Sequence, residues 1–498
     1  MMPISALRPA ALLVLASLLS LAGCSFAPRV QAPEAVTALP EAYAALDTLA
    51  AYAPETWWSA YNDPVLDAVL DSVRASNLDL AEAVARVEEV AALYRIQRSG
   101  LFPTLEASAN VSRQDQPIDA GFGGVPIPGL GGDGDAPDRF DFTQYTTGLA
   151  LAYEIDFWGR VRNDTKAAVR DVVAAEADLR TAELTVLAQS ITTYFDIVDL
   201  RTRIALTVET IDVLAERVER TQERYDRGLV TSFELYSVLQ TFRNAQSGLP
   251  LLEGTLANAE GRLAVLMGRY AGTIDAVLGD TLAPQLALTP IPAGLPSELL
   301  VQRPDVLAAL QRMEAARLRV GARRAELFPR LTLSGSIGTQ SNDVENVLNF
   351  DRWVLSLASG LAAPIFQGGR LRANVSAAEA RYAQTAAAYA RAVLTAYQEV
   401  DGALQVFEEG RQRYLFLDEQ RAEAQATADL QASRFERGVG TYLDYLDALS
   451  NLLTVETTLV GAARDVALAR LDVHRALGGG WTPTPPTTEV VLISETTD

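Results

Sequence analysis

The chain is written twice. Leu101-Phe102-Pro103 returns as Leu327-Phe328-Pro329, 226 residues later. Gly159-Arg160-Val161-Arg162 returns as Gly369-Arg370-Leu371-Arg372, and Arg224-Tyr225-Asp226-Arg227-Gly228 as Arg434-Phe435-Glu436-Arg437-Gly438, both 210 residues later. Leu266-Met267-Gly268 and Ala476-Leu477-Gly478 keep that spacing. Chance explains one such match, not four in order. A repeat constrains the fold before any local propensity, because both copies must form the same unit. The first copy carries 16 extra residues between its first two markers, in the Gly/Pro/Asp-rich stretch 115–140, which reads as a loop. A length of 498 residues alone would suggest three domains. The repeat replaces them with one unit used twice, 64–268 and 301–478, joined by a Pro/Gly-rich linker over 269–300.

Each copy has the same plan. A first helix is expected from Pro64 to Ser99 and from Pro304 to Glu326, with Pro well placed at a helix start. Pro103 and Pro329 stop these helices, because Pro forces the preceding residue toward extended geometry. A strand follows, in which Leu105, Ala107, Ala109 and Val111 alternate with polar residues, as do Leu331, Leu333 and Ile337 in the copy. A second strand puts Tyr145, Thr147, Leu149, Leu151 and Tyr153 on one face, and Trp353, Leu355, Leu357 and Leu361 in the copy. Each segment approaches the roughly 9–11 residues that a tilted strand needs to cross a bilayer. Gly159 and Gly369 then mark the turns into very long helices, Arg160–Arg227 and Leu371–Arg437. The first contains neither Pro nor Gly, and its length is roughly 100 Å. Apolar residues step by four and three through Leu187, Ile191, Tyr194 and Val198, which is coiled-coil spacing. Gly228 and Gly438 end these helices in the manner of a C-cap. Return helices follow, about Ser232–Met267 and Tyr442–Leu477, and residues 479–498 form a Gly/Pro/Thr tail expected to pack poorly.

Residues 1–23 read as a secretory signal. Arg8 gives a weakly basic start, and Ala10–Leu21 is an apolar run too short to span a membrane as a helix. It ends in Leu21-Ala22-Gly23-Cys24, which resembles the bacterial lipobox, where a peptidase cuts before a Cys carrying a thioether-linked lipid. Cys24 is the only cysteine, so no intrachain disulfide forms, and the lipid is the only covalent group expected, with no cofactor. Ser25 favours the outer membrane, since Asp at that position of a lipoprotein usually means inner-membrane retention. Acyl chains contribute about 0.8 kcal/mol per buried CH₂, so several together anchor stably. The plain alternative is an ordinary cleaved signal with a chance cysteine. Residues 24–63 then form a lipid-anchored, extended N-terminal segment.

Composition removes other classes. One His beside one Cys argues against a zinc site, and no metal site is expected. A net charge of −21, with Lys166 the only lysine, argues against nucleic acid and against a polybasic membrane anchor. Acids are plentiful, yet no acid/base pair converges in the sequence, so an acid-based periplasmic enzyme would explain neither the repeat nor the helices. Four strands cannot close a barrel, since the smallest common membrane barrel has about eight. Strands that enter lipid must therefore close with those of other copies, and three chains suit a hollow helical cylinder better than two. The alternative is a lipid-anchored periplasmic coiled-coil scaffold without a pore.

Across the mature chain the sequence resembles the TolC-like outer-membrane efflux ducts, in their lipoprotein, NodT-type branch. The carriers are Thr56-Trp57-Trp58 through Asp63-Pro64-Val65-Leu66, Asn77-Leu78-Asp79-Leu80, the paired Leu-Phe-Pro elements, Gln302-Arg303-Pro304-Asp305-Val306, and the paired Arg-aromatic-acid-Arg-Gly turns. The resemblance implies a mainly α-helical homotrimer whose long antiparallel coiled-coil helices form an α-barrel in the periplasm. Four strands per chain would build a 12-stranded β-barrel in the outer membrane, with 115–140 extracellular. It also implies a periplasmic adaptor and an inner-membrane pump of the resistance-nodulation-division (RND) type as partners, and no chemistry.

Site residues follow from that resemblance. Gly228, Leu229, Val230 and Thr231, with Gly438, Val439, Gly440 and Thr441, would form the periplasmic tips that meet the adaptor; they equally read as ordinary helix-turn-helix chemistry. Asp444 and Asp447 match family positions whose acids ring the periplasmic aperture, and Glu234 is the acid of the first copy's turn. Stacked carboxylates there would attract cations. Thr441 with Asp444, and Thr231 with Glu234, also read as capping boxes, whereas Asp447 has no capping role. Gly440 stands where the family often carries a basic latch. His474 reads as a partner of the last helix's C-terminal dipole rather than as a ligand, and Arg303-Pro304-Asp305 as a helix start.

Overall fold

The computed structural model describes residues 26–29, 33, 37–40, 57–117, 139–279, 286, 288–289, 291, 296, 302–349, 351 and 353–479. Cys24, the signal, most of the stretch 115–140 and the tail beyond Gly479 lie outside them.

The helix expected over Pro64–Ser99 is two helices, α1 (Pro64–Ser76) and α2 (Leu78–Ser99). Asn77 between them is extended, with φ −68° and ψ 130°, and its Oδ1 accepts the Leu80 N–H at 3.0 Å. Its Nδ2 donates to the Leu266 carbonyl at 2.8 Å. Asn serves better at a cap than inside a helix, so one residue ends α1 and starts α2 while the apolar spacing runs on. Asp63 caps α1, accepting from the N–H groups of Val65 and Leu66.

Four antiparallel strands follow one another in space as in sequence: β1 (Thr104–Pro117), β2 (Arg139–Ile155), β3 (Arg330–Ser341) and β4 (Trp353–Ala362). The register aligns Leu105 with Leu151, Leu151 with Gly335, and Gly335 with Leu357. All the apolar positions read from the alternation therefore share one face of one sheet. β1 and β2 have 14 and 17 residues, longer than expected, because pairing continues from both sides into the stretch read as a loop.

The long helices α3 (Arg160–Asp226) and α6 (Arg370–Glu436) have 67 residues each. The return helices α4 (Ser232–Leu266) and α7 (Tyr442–Ala476) have 35 each. Helix α5 (Pro304–Ala325) has 22, as does α2. Pro250 sits inside α4, where it removes one helix hydrogen bond. Beside the sheet the helices pack in the order α2–α3–α5–α6, and away from it in the order α4–α3–α7–α6. No helix among the described residues is long and apolar enough to cross a membrane.

The main core lies at the waist, where Trp57, Tyr61, Leu66, Leu70, Ile191, Tyr194, Leu263 and Met267 pack together with Leu471. A second cluster joins Met313 of α5, Val393, Val400 and Phe407 of α6, and Val466 and Val473 of α7. The stretch read as a linker contributes to this waist: Ile274, Leu278 and Ile291 are buried.

Candidate functional site: the tips, the waist and the foot of the sheet

Each tip is a helix C-cap followed directly by a helix N-cap. Gly228 has φ +68° and Gly438 φ +75°, the left-handed conformation that glycine adopts without a Cβ penalty. The Leu229 N–H donates to the Arg224 carbonyl and the Gly228 N–H to the Tyr225 carbonyl, both at 2.8 Å. Val439 and Gly438 repeat this pattern on Arg434 and Phe435 at 3.0 Å. These are Schellman pairs, which satisfy the carbonyls that a helix end leaves free. Thr231 and Thr441 then cap α4 and α7 in reciprocal capping boxes with Glu234 and Asp444. Leu229 and Val439 are exposed at the ends of the turns, and Val230 corresponds to Gly440.

The acids divide by task. Glu234 accepts the Thr231 N–H at 2.9 Å and Asp444 accepts the Thr441 N–H at 3.3 Å, so both hold their own turns. Asp447 is exposed, one turn further along α7, with no side-chain partner among the described residues. Gly440 has a local geometric reason. A Cβ there would meet the Arg434 Cβ at 3.0 Å and the Phe435 backbone N at 3.3 Å, so a latch side chain would require the turn to shift.

Sequence reasoning missed the contacts that hold the two hairpins together at this end. The Arg217 guanidinium of α3 lies over the Tyr445 ring of α7 at 4.4 Å, and Arg224 over Phe435 at 5.4 Å. Within the second hairpin, Tyr442 packs against Phe435 at 5.3 Å. Burial raises the Tyr442 hydroxyl's pKa, partly offset by the Arg217 charge, so it stays protonated. The spacing of Tyr442 and Tyr445 was the only available signal, and it does not say which arginines stack there.

At the waist, Arg303 precedes α5 and ties it to two other helices. It pairs with Asp305 and with Glu399 of α6, each at 2.7 Å, and donates to the Ala476 carbonyl of α7 at 3.0 Å. Pro304 opens the helix and Asp305 lies in its first turn, as the helix-start reading expects. His474 differs from expectation. It is buried and stacked on Trp57, with ring centroids 5.1 Å apart. Burial, and secondarily the Arg470 charge, lower its pKa to about 3, so the imidazole is neutral and adds no charge to the helix end.

At the foot of the sheet, Pro103 and Pro329 lie immediately before β1 and β3, while Gly159 and Gly369 carry left-handed φ values of +75° and +84° before α3 and α6. Trp158 Nε1 donates to the Pro329 carbonyl at 2.8 Å. Trp158 stacks on Phe328, which stacks on Phe26 of the N-terminal segment at 4.9 Å.

The architecture and sequence match proteins of one kind. The model of the outer membrane efflux protein family matches residues 69–269 and 295–479. The chain is 31% identical over 474 residues to the solvent efflux pump outer membrane protein SrpC of Pseudomonas putida, covering 93% of this chain and 97% of that protein. It is 33% identical over 430 residues to the pyoverdine export outer membrane protein OpmQ of Pseudomonas aeruginosa, covering 85% and 87%. The solved structure of the outer-membrane channel OprN superposes with a TM-score of 0.82 at 25% identity, over 92% of this chain and 100% of that one. With a helical shaft, a four-stranded sheet and these relatives, the chain belongs to the outer membrane efflux protein family, as a non-enzymatic channel component of efflux systems in the outer membrane.

Proposed function

We propose that three copies close into a passive duct, a 12-stranded barrel in the outer membrane continued by a helical barrel in the periplasm. The observation that carries this is the position of the open margins. The sheet ends at β1 and β4, the helices beside it at α2 and α6, and those toward the tips at α4 and α6. Each level thus has one margin from the first copy of the repeat and one from the second. β4 is exposed along its whole length. α6 shows Leu394, Leu415 and Phe416 to solvent, α2 shows Leu78, Leu93 and Ile96, and α4 shows Phe233, Tyr236 and Leu251. A margin that pairs with a different margin makes a head-to-tail contact, which closes only as a ring. In lipid each unpaired strand group would cost several kcal/mol, which drives that closure. The equal helix lengths support the internal two-fold repeat as the source of an even wall.

Partners follow from the same reading. The tips Gly228–Thr231 and Gly438–Thr441 receive a periplasmic adaptor, which links the duct to an inner-membrane RND pump. Asp447, with Asp444 on the same helix and Glu234 at the other tip, sets the charge of the periplasmic mouth, and Gly440 leaves the closure of that mouth to the stacked Arg217 and Tyr445 rather than to a latch. The packing of Phe26 on Phe328 supports a lipid on Cys24, because it holds the segment beside the start of β3. Solvent efflux and pyoverdine export in the relatives' names support small organic cargo. Purified full-length protein should form a trimer and give discrete conductance in planar bilayers. A stable monomer, or a trimer that never conducts, overturns the duct. Cys24→Ser should abolish palmitate labelling in cells, and persistent labelling overturns the anchor.

A further inference from the structure

A cavity of about 910 Å³ lies near the sheet end of the helices and touches four successive ones. Gln97 of α2 borders it; its charged lining is Asp164 and Asp171 of α3, Arg312, Arg319 and Arg323 of α5, and Arg381 of α6. The geometry of α5 tells which side of the wall it opens on. At 3.6 residues per turn, Arg317, Gly321 and Arg324 share one face. The N-terminal segment lies on that face: Arg317 Nη1 donates to the Pro28 carbonyl at 3.0 Å and Arg324 Nη1 to the Phe26 carbonyl at 3.3 Å. Ala315 and Leu318 turn toward α3, where they pack on Ala167, and Met313 turns toward α6. Arg312, Arg319 and Arg323 occupy the remaining face, opposite the N-terminal segment. α6 agrees: Glu379 pairs with Arg324 at 2.7 Å on the first side, and Arg381, two residues on, points to the cavity. In the duct, the segment that leads to the lipid anchor runs outside the tube. A recess on the other side, shared by four neighbouring helices, therefore lies on the inner wall.

Among the described residues, the recess has one uncompensated charge. Arg312 pairs with Asp178, Arg319 with Asp171, and Arg323 with Asp164 at 2.7 Å and Glu326 at 2.5 Å. Arg381 is exposed, and its side chain has no partner among the described residues. Burial raises the carboxyl pKa of Asp171 and Asp178 despite their arginines, so these acids hold their charge less firmly than free ones. Ala316, Ala377 and Ala378 give the recess an apolar floor.

We propose that this recess is a binding station for organic anions of the carboxylate class, with Arg381 as its primary contact and Arg319 and Arg323 flanking it. The proposal rests on the duct reading, which supplies the lumen. A guanidinium takes a carboxylate through two parallel hydrogen bonds, and the alanine floor accepts the rest of an amphipathic molecule. A narrow lumen with low-dielectric walls focuses the field of an unpaired cation. In a chain of net charge −21 such a recess is a local exception, and it gives an anionic cargo a foothold in an otherwise repelling protein.

The test uses purified full-length protein, titrated with 7-methoxycoumarin-3-carboxylate and with its neutral carboxamide, each followed by fluorescence anisotropy. The carboxylate should bind more tightly than the carboxamide. Arg381→Gln should weaken the carboxylate about tenfold and leave the carboxamide unchanged, as expected for one charge-assisted contact. Arg381→Lys should keep part of the preference, since it keeps the charge and loses the fork. Because Arg381 pairs with no acid among the described residues, Arg381→Gln orphans no described partner, and helical circular dichroism should be unchanged. Equal affinity for the two probes, or a carboxylate affinity within twofold in Arg381→Gln, overturns the station. Conductance of the same wild-type preparation separates the readings. A conducting protein without charge-selective binding overturns the station alone, and a preparation that never conducts overturns the duct and the station with it.

Discussion

Acid should loosen the waist through His474. Its imidazole is buried against Trp57, and burial with the Arg470 charge holds its pKa at about 3 in the folded chain, against 6.5 when free. Below pH 6.5 the unfolded segment therefore takes up a proton that the folded one refuses. The associated stability is complete above 6.5 and is lost as pH falls toward 3. One pKa unit is worth 1.36 kcal/mol, so lowering the pH to about 5 removes roughly 2 kcal/mol of local stability. Asp472, whose carboxyl pKa is raised by burial more than Arg475 lowers it, works with the opposite sign, so it offsets the His474 effect rather than imitating it. Hydrogen exchange reads local opening directly. For the segment 468–478, corrected for the intrinsic pH dependence of exchange, protection should fall about 30-fold between pH 7 and pH 5. In His474→Phe, which keeps the stack on Trp57 and removes the titration, that drop should disappear. An equal drop in wild type and His474→Phe would refute the reasoning, because the acid sensitivity would then come from another group.

Two more outcomes follow from the tips and the foot of the sheet. Asp444→Asn combined with Asp447→Asn should weaken cation selectivity and divalent block in planar bilayers, and unchanged selectivity would remove these acids from the mouth. Gly321→Val should release the N-terminal segment, since a Cβ at 321 would come within 2.8 Å of the Ala27 nitrogen; trypsin should then cut after Arg29 faster than in wild type, and an equal rate would show that the segment is held elsewhere.

The sites were legible to different degrees. The capping boxes at Thr231 and Thr441 could be read directly, because each is a contact between residues three apart. The break at Asn77 could not, because the apolar spacing runs through it and the residue that favours it, Leu266, is 189 positions away. His474 was misread for the same reason. A lone histidine near a helix end suggests a charge on the dipole, and only the packing of Trp57, more than 400 positions earlier in the chain, makes it a neutral ring. The cavity with Arg381 was invisible in sequence, where the arginines look scattered among acids.

What the sequence determined by itself is whatever repeats at short range. Helix and strand periods, the Gly and Thr of the turns, and the duplication of the whole unit are set by local backbone preference and by one pattern used twice. Tertiary structure alone decided which faces meet. It aligned the apolar residues of four strands on one side, left β1 and β4 as open edges, and turned three arginines of α5 away from the N-terminal segment. Those outcomes depend on contacts between residues far apart in the chain, whose free energy appears only when the helices pack and the strands pair.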